Sequence, residues 1–243
     1  MTSIGERLVQ ELASRGVEVV FGIPGMHTVE LYRGLAASPI RHVTARHEQG
    51  AGFMADGYAR ASGRTGVVLA GQNGPGATNL VTGLAQARAA FSPVVSIAGA
   101  LSTAHLYRDA FQEVDQEALF KPITKKTWTA PSADRIPEMF REAFRVANAP
   151  RKGPVQLNLP RDVLSAQADY APLQSVDEYR PCAAPAGEAS AIARAATRLL
   201  SAKRPVIIAG GGIKNTEGHA AAVALAEALN APVVTSPGHG DAI

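Results

Sequence analysis

Apolar positions along the chain follow two rhythms that take turns. Ile4, Leu8 and Leu12 fall on one helical face, Gly16 closes that helix, and Val17 to Phe21 then reads as a short buried strand. The same alternation continues with a helix from Thr28 to Ala36, a strand over His42–Ala45 and a helix from Glu48 to Ala61. Next come a strand over Gly66–Ala70, a helix from Thr78 to Ala90 and a strand from Pro93 to Ala98. Strand Lys126–Thr129, helix Ile136–Ala147 and strand Val155–Leu159 complete the series. Continuous apolar strands between amphipathic helices have both faces covered. The pattern therefore predicts an α/β fold with a doubly wound parallel sheet over residues 1–165.

The rhythm breaks after Arg161-Asp162-Val163. Residues 166–187 hold Pro172, Pro181 and Pro185 among mixed polar residues and show no helical period, so this stretch reads as a linker. A second unit over residues 188–243 opens with a helix from Glu188 to Leu200, a strand Pro205–Ala209, Gly210-Gly211-Gly212, a helix reaching Leu229 and a strand Pro232–Thr235. Two strands and two helices do not close a core. This unit is expected to be the incomplete start of a further α/β domain.

Composition changes this picture little. Of 243 residues, 46% are hydrophobic and 19% charged, and the net charge of +3 is spread along the chain. Lys125-Lys126 is the longest basic run, which argues against a nucleic-acid partner. The single cysteine, Cys182, excludes an internal disulfide and a cysteine metal cluster and reads as an inert thiol. The N-terminus lacks a signal-peptide pattern and no run of about 18 apolar residues occurs. A cytoplasmic protein without a membrane partner is expected.

Four segments carry candidate chemistry. Phe21-Gly22-Ile23-Pro24-Gly25 takes a strand end through a tight turn into a helix, where Gly and Pro let the backbone approach a ligand. Taken alone it is a generic βα loop. Arg46-His47-Glu48 places a carboxylate at the start of a helix rich in Gly and Ala, Gly50 to Arg60. Glu48 reads either as a functional acid or as a capping acid, since a helix N-terminus stabilises its charge while burial opposes it. Gly71-Gln72-Asn73-Gly74-Pro75-Gly76-Ala77-Thr78-Asn79 resembles an anion-cradling loop, but it lacks a Walker lysine and the G-x-G-x-x-G spacing. Asp109-Ala110-Phe111-Gln112-Glu113 and Ile123-Thr124-Lys125 read in isolation as solvated loops.

In this order and spacing the segments resemble thiamine diphosphate (ThDP) enzymes of the acetolactate synthase type. The likeness also takes in Gly153-Pro154-Val155 to Val163 and, in the second unit, Arg204-Pro205-Val206 to Gly212. It implies that residues 1–165 are the pyrimidine-binding domain and 188–243 the start of the central domain. It also implies action on 2-oxo acids, by decarboxylation, carboligation or both. Glu48 matches the glutamate that hydrogen-bonds the cofactor's pyrimidine and so enables loss of the thiazolium proton. Ile23, Pro24 and Gly25, with Gly74, Pro75, Gly76 and Asn79, match positions lining the pyrimidine. Met26, Gln72, Asn73, Phe111 and Lys125 fall at substrate-lining positions, and Gln112 joins Glu48 as a catalytic candidate. Met26-His27-Thr28 departs from the small apolar residues usual in acetolactate synthases. The string Gly22 to Leu35 is closer to a 2-oxo acid decarboxylase branch that includes 5-guanidino-2-oxopentanoate decarboxylase, and His27 falls where benzaldehyde lyase-like relatives keep a histidine. A neutral imidazole suits proton shuttling, and a plain polar lining role stays open beside it.

The family's Gly-Asp-Gly motif, which binds Mg²⁺ and the diphosphate, does not occur here. The resemblance thus implies a longer enzyme, completed by a C-terminal domain and assembled as a homodimer or tetramer. A flavin (FAD), used by some acetolactate synthases, is left undecided. A non-catalytic nucleotide-binding or regulatory module and a bare dimerisation scaffold are the readings from other classes. Gly210–Gly212 supports the former, but Thr235-Ser236 stand where a ribose-binding acid would follow the next strand.

Overall fold

A computed structural model describes residues 2–171, 186–215, 218–240 and 242–243. Cys182 and most of the expected linker lie outside the described residues. The chain divides into two units, residues 1–179 and 180–243. In the first, the elements are α1 Ile4–Ser14, β1 Val19–Ile23, α2 Val29–Ala36, β2 Arg41–Thr44, α3 Glu48–Ser62, β3 Gly66–Ala70, α4 Pro75–Thr78, α5 Val81–Ala89, β4 Val94–Ala100, α6 Gln116–Phe120, β5 Thr127–Thr129, α7 Ile136–Asn148, β6 Val155–Pro160 and α8 Arg161–Ser165. The second contains α9 Ala189–Ser201, β7 Ile207–Ala209, α10 Gly211–Asn215, α11 His219–Leu229 and β8 Val233–Thr235.

The first unit is the expected doubly wound domain. Its six strands are all parallel, in the order β2-β1-β3-β4-β6-β5. Strands β3, β4 and β6 are buried at every residue; β3 is an unbroken apolar run, while β4 and β6 also bury the polar Ser96, Gln156 and Asn158. Alternate strand residues feed two cores. One holds Val20, Leu69, Ile97 and Leu157 under Leu8, Leu31 and Phe140 of α1, α2 and α7. The other holds Val68, Ala70 and Ala98 under Ala55, Leu84 and Phe120 of α3, α5 and α6. Burying a Leu or Phe side chain is worth roughly 1.5–3 kcal/mol, so these two layers supply the main stabilisation.

Ser3 and Glu6 form a reciprocal cap on α1. The helix expected over Thr78–Ala90 is two helices, because Pro75 starts a short turn early and Asn79-Leu80 interrupt the ladder before α5. Two short helices, α6 and α8, stand where the periodicity predicted no element.

The second unit pairs β7 with β8 in parallel and leaves apolar positions open: Ile208 is 74% exposed and Leu200 82%. Those exposures agree with the sequence argument that such a unit lacks a closed core. Among the described residues no helix is long and apolar enough to cross a membrane.

Candidate functional site

In an open parallel sheet, a ligand crevice forms at the carboxyl ends of the strands where the strand order reverses. Here β1 has β2 on one side and β3 on the other, so the chain leaves β1 in one direction and later resumes in the opposite one. The loops after β1 and β3 meet at that point. Gly25 and Gly71 cross with no room for a side chain: a Cβ on Gly25 would lie 2.9 Å from the Gly71 Cα, and one on Gly71 would lie 2.5 Å from both the Ile23 oxygen and the Pro24 carbonyl carbon. The buried Thr28 ties the crossing, its hydroxyl donating to the Gly71 carbonyl at 3.3 Å.

Glu48 follows β2 and meets the segment after β3 at Gly76 and Asn79. It occupies the first position of α3, but His47 is the helix cap, its Nδ1 accepting the Gln49 N–H at 3.2 Å. The Glu48 carboxylate is thereby released from capping, and its Oε2 accepts from Asn79 Nδ2 at 2.9 Å. Its other oxygen faces Gly76, where an added Cβ would stand 3.4 Å from Oε1 and 3.0 Å from the Gln72 Cβ. Gly76 is buried, and its missing side chain leaves Oε1 without a Cβ against it.

A second set of polar groups adjoins the first. His27 follows the β1 turn, and its Nδ1 accepts the Asn73 N–H at 3.4 Å. Burial holds its pKa below the usual histidine range; a hydrogen bond with Gln72 opposes this and the charge of Arg161 adds to it. Burial and Arg161 together favour the neutral imidazole. Gln72 Nε2 donates to Gln112 Oε1 at 2.9 Å, and Asn73 Nδ2 donates to the Gln112 carbonyl at 2.5 Å. Asn73 is nearly fully buried, and its own Oδ1 accepts from Gln116 at 2.8 Å.

The structure thus gathers Glu48, Gly76 and Asn79 at one end, and His27, Gln72, Asn73, Gly74 and Gln112 at the other, with Ile23, Pro24 and Gly25 at the crossing. Met26 and Phe111 project from the rim, 63% and 85% exposed. Lys125 stands apart from these groups. Its ammonium donates to the carbonyls of Val146 and Ala149 at 2.5 and 3.0 Å, closing the C-terminal end of α7, where a cation is favoured by the helix dipole. Burial, with Arg88 and Arg145 nearby, lowers its pKa. Lys125→Met is accordingly expected to lower the stability of the first unit by about 1–2 kcal/mol in urea titration, without changing the substrate KM of the complete enzyme. A raised KM at unchanged stability would restore Lys125 to the substrate lining.

Asn73 and Gln116 act here as supports, a role their sequence context does not signal. Their partners lie 39 and 43 residues away, beyond the reach of local pattern.

Residues 2–119 match the domain family "Thiamine pyrophosphate enzyme, N-terminal TPP binding domain", and residues 192–243 match "Thiamine pyrophosphate enzyme, central domain". A probable acetolactate synthase large subunit of Methanococcus aeolicus is 42% identical, over 95% of this chain and 39% of that protein. A probable 2-ketoarginine decarboxylase of Pseudomonas aeruginosa is 45% identical, over 96% of this chain and 41% of that protein. Among solved structures, the thiamine diphosphate-dependent 4-hydroxybenzoylformate decarboxylase of Rhodococcus jostii RHA1 aligns with a TM-score of 0.85 at 29% identity. That alignment covers 97% of this chain and 44% of the other. The chain spans about two fifths of the length of the curated relatives it matches.

Proposed function

We propose that this chain, which belongs to the thiamine pyrophosphate enzyme family, forms the pyrimidine-side half of the active site in a ThDP-dependent enzyme acting on 2-oxo acids. The observation that carries this reading is the Glu48 carboxylate, freed from helix capping by His47, bonded to Asn79 and facing Gly76. When bound, the cofactor supplies a carbon nucleophile that makes decarboxylation of a 2-oxo acid accessible. Glu48 holds or moves the proton on the pyrimidine ring nitrogen, and Asn79 orients Glu48. Ile23–Gly25 and Gly74–Gly76 bound the ring through backbone.

His27 and Gln112, with Gln72, face the substrate end. A neutral imidazole there has the free nitrogen needed to accept a proton and hand it back. Met26 and Phe111, exposed in this chain, become lining once the rest of the enzyme covers them. Mg²⁺ and the diphosphate are held by residues outside this sequence.

The same reading favours a cytoplasmic homodimer. Helix α3 turns Ala51, Gly52, Ala55 and Ala59 inward, while Phe53 and Met54, each 41% exposed, share the outer side with Gly57. A second copy would cover them. The domain limits proposed are 1–165 for the pyrimidine side and 188–243 for the start of the central domain.

The test is complementation. This chain, mixed with a separately produced C-terminal segment carrying the diphosphate motif, should restore ThDP- and Mg²⁺-dependent release of CO₂ from a 2-oxo acid. It should do so in a complex that sediments as two copies of each part. No turnover from a mixture that does assemble would reject the proposal.

A further inference from the structure

The segment between β4 and α6, residues 101–115, carries Phe111 and Gln112 and has an improbable backbone. Tyr107, Asp109 and Gln112 have φ of 63°, 54° and 64°, the left-handed region that side chains with a Cβ disfavour. Three such residues within six persist only where neighbours impose them. The polypeptide alone gives no reason for this turn, since no glycine or proline lies between residues 101 and 115.

The imposing group is the side chain of Glu113. Its Oε1 accepts the Tyr107 N–H at 2.5 Å, while its Oε2 accepts the Arg108 N–H at 3.2 Å and the Ala110 N–H at 2.9 Å. The Glu113 N–H donates back to the Ala110 carbonyl at 2.9 Å, which closes the turn. A carboxylate accepting several amides makes charge-assisted bonds, roughly twice as strong as neutral ones. These bonds hold its pKa below the usual carboxylate range, with Ala110 and Tyr107 the largest contributors.

The residue bonded directly to this clamp is Gln112. Its carbonyl accepts from Asn73, and its side-chain oxygen accepts from Gln72. Gly74 completes the fit: a Cβ there would overlap the Gln112 carbonyl oxygen, so the loop sits on the β3 turn at backbone contact. Asp162 anchors the other end of the segment, accepting the Thr103 N–H at 3.0 Å and its hydroxyl at 2.6 Å. Between these fixed ends, the pose of residues 107–112 depends on Glu113.

We propose that Glu113 is a positioning residue: by gathering the Tyr107, Arg108 and Ala110 amides on one carboxylate, it fixes the turn that aims Gln112 at Gln72 and presents Phe111 at the rim. This rests on the reading of the site as a ThDP site. A merely local cap would hold the same bonds with no consequence for turnover, so the test needs two readouts.

The first readout is hydrogen–deuterium exchange over residues 105–113 in wild type, Glu113→Gln and Glu113→Ala. Glu113→Ala should speed exchange of the three amides by about tenfold or more, as expected from losing charge-assisted bonds, with β3 and β4 unchanged. Glu113→Gln keeps one acceptor oxygen and should fall between. The second readout is the complete enzyme with ThDP and a 2-oxo acid. Glu113→Ala should lower kcat/KM by about tenfold while thiazolium proton exchange stays at the wild-type rate, because Glu48 lies at the other end of the site. Unchanged amide exchange overturns the proposal, as does fast loop exchange with unchanged kcat/KM. A thiazolium exchange rate that falls as far as kcat/KM also overturns it, since the effect would then be a general loss of structure. A wild-type enzyme without ThDP-dependent turnover overturns the proposed function itself. Normal wild-type turnover with a silent Glu113→Ala overturns only the role of Glu113.

Discussion

Glu48→Gln in the complete enzyme is expected to slow exchange of the thiazolium proton of bound ThDP by about 10²–10⁴-fold, or about 3–5 kcal/mol of barrier. The substitution keeps size and shape. An amide oxygen still accepts the Asn79 Nδ2–H that now bonds Glu48 Oε2, so folding of the loop is preserved. What disappears is the group able to hold a proton on the pyrimidine nitrogen. His27→Ala supplies the contrast. Its imidazole accepts from the Asn73 N–H and sits with Gln72 and Gln112, so its removal should lower turnover while leaving thiazolium exchange within a few-fold of wild type. Proton exchange followed by NMR separates the two. Survival of exchange in Glu48→Gln, or its equal collapse in His27→Ala, would undo the assignment of Glu48 to cofactor activation and His27 to the substrate end.

That division was legible in the sequence only through the family likeness. Local pattern carried the frame: β3 was expected and found over Gly66–Ala70, because a strand buried on both faces is an unbroken apolar run between polar breaks. It did not carry the contacts. Glu48 and Asn79 are 31 residues apart, and Gln72 and Gln112 are 40 apart. No periodicity relates them; the strand order does, by bringing the β1, β2 and β3 ends to one crevice. Asp109–Glu113 read as solvated loop for the same reason. The acid at 113 binds backbone amides, and backbone amides leave no mark on a sequence. Lys125, placed at a substrate-lining position only by the family likeness, donates in this fold to the last carbonyls of α7.

The crossing of the β1 and β3 loops bears the largest structural expectation. Gly71→Ala should destabilise the first unit by about 3 kcal/mol, the upper end of overpacking costs, because the obstructing atoms are backbone and have no rotamer to yield. The added methyl would collide with the Gly25 nitrogen and come within 2.5 Å of the Pro24 carbonyl carbon. Neither loop can retreat. Gly71 continues from β3, which is hydrogen-bonded on both sides, and Gly25 follows β1 and is held by the Thr28 hydroxyl bonded to the Gly71 carbonyl. Gly71 is not among the glycines with positive φ, so alanine meets no conformational penalty and the experiment isolates the steric term. Gly50→Ala is the matched control. It lies in α3 with nothing within 4 Å of an added Cβ, so alanine should stabilise by about 0.5–1 kcal/mol through helix propensity and a less flexible unfolded chain. Urea unfolding followed by Trp128, the single tryptophan and a β5 residue of the first unit, reads both changes. A Gly71→Ala midpoint close to wild type, at unchanged m, would mean that the two loops do not cross at backbone contact, and the crevice that holds Glu48 against Gly76 would have to be redrawn.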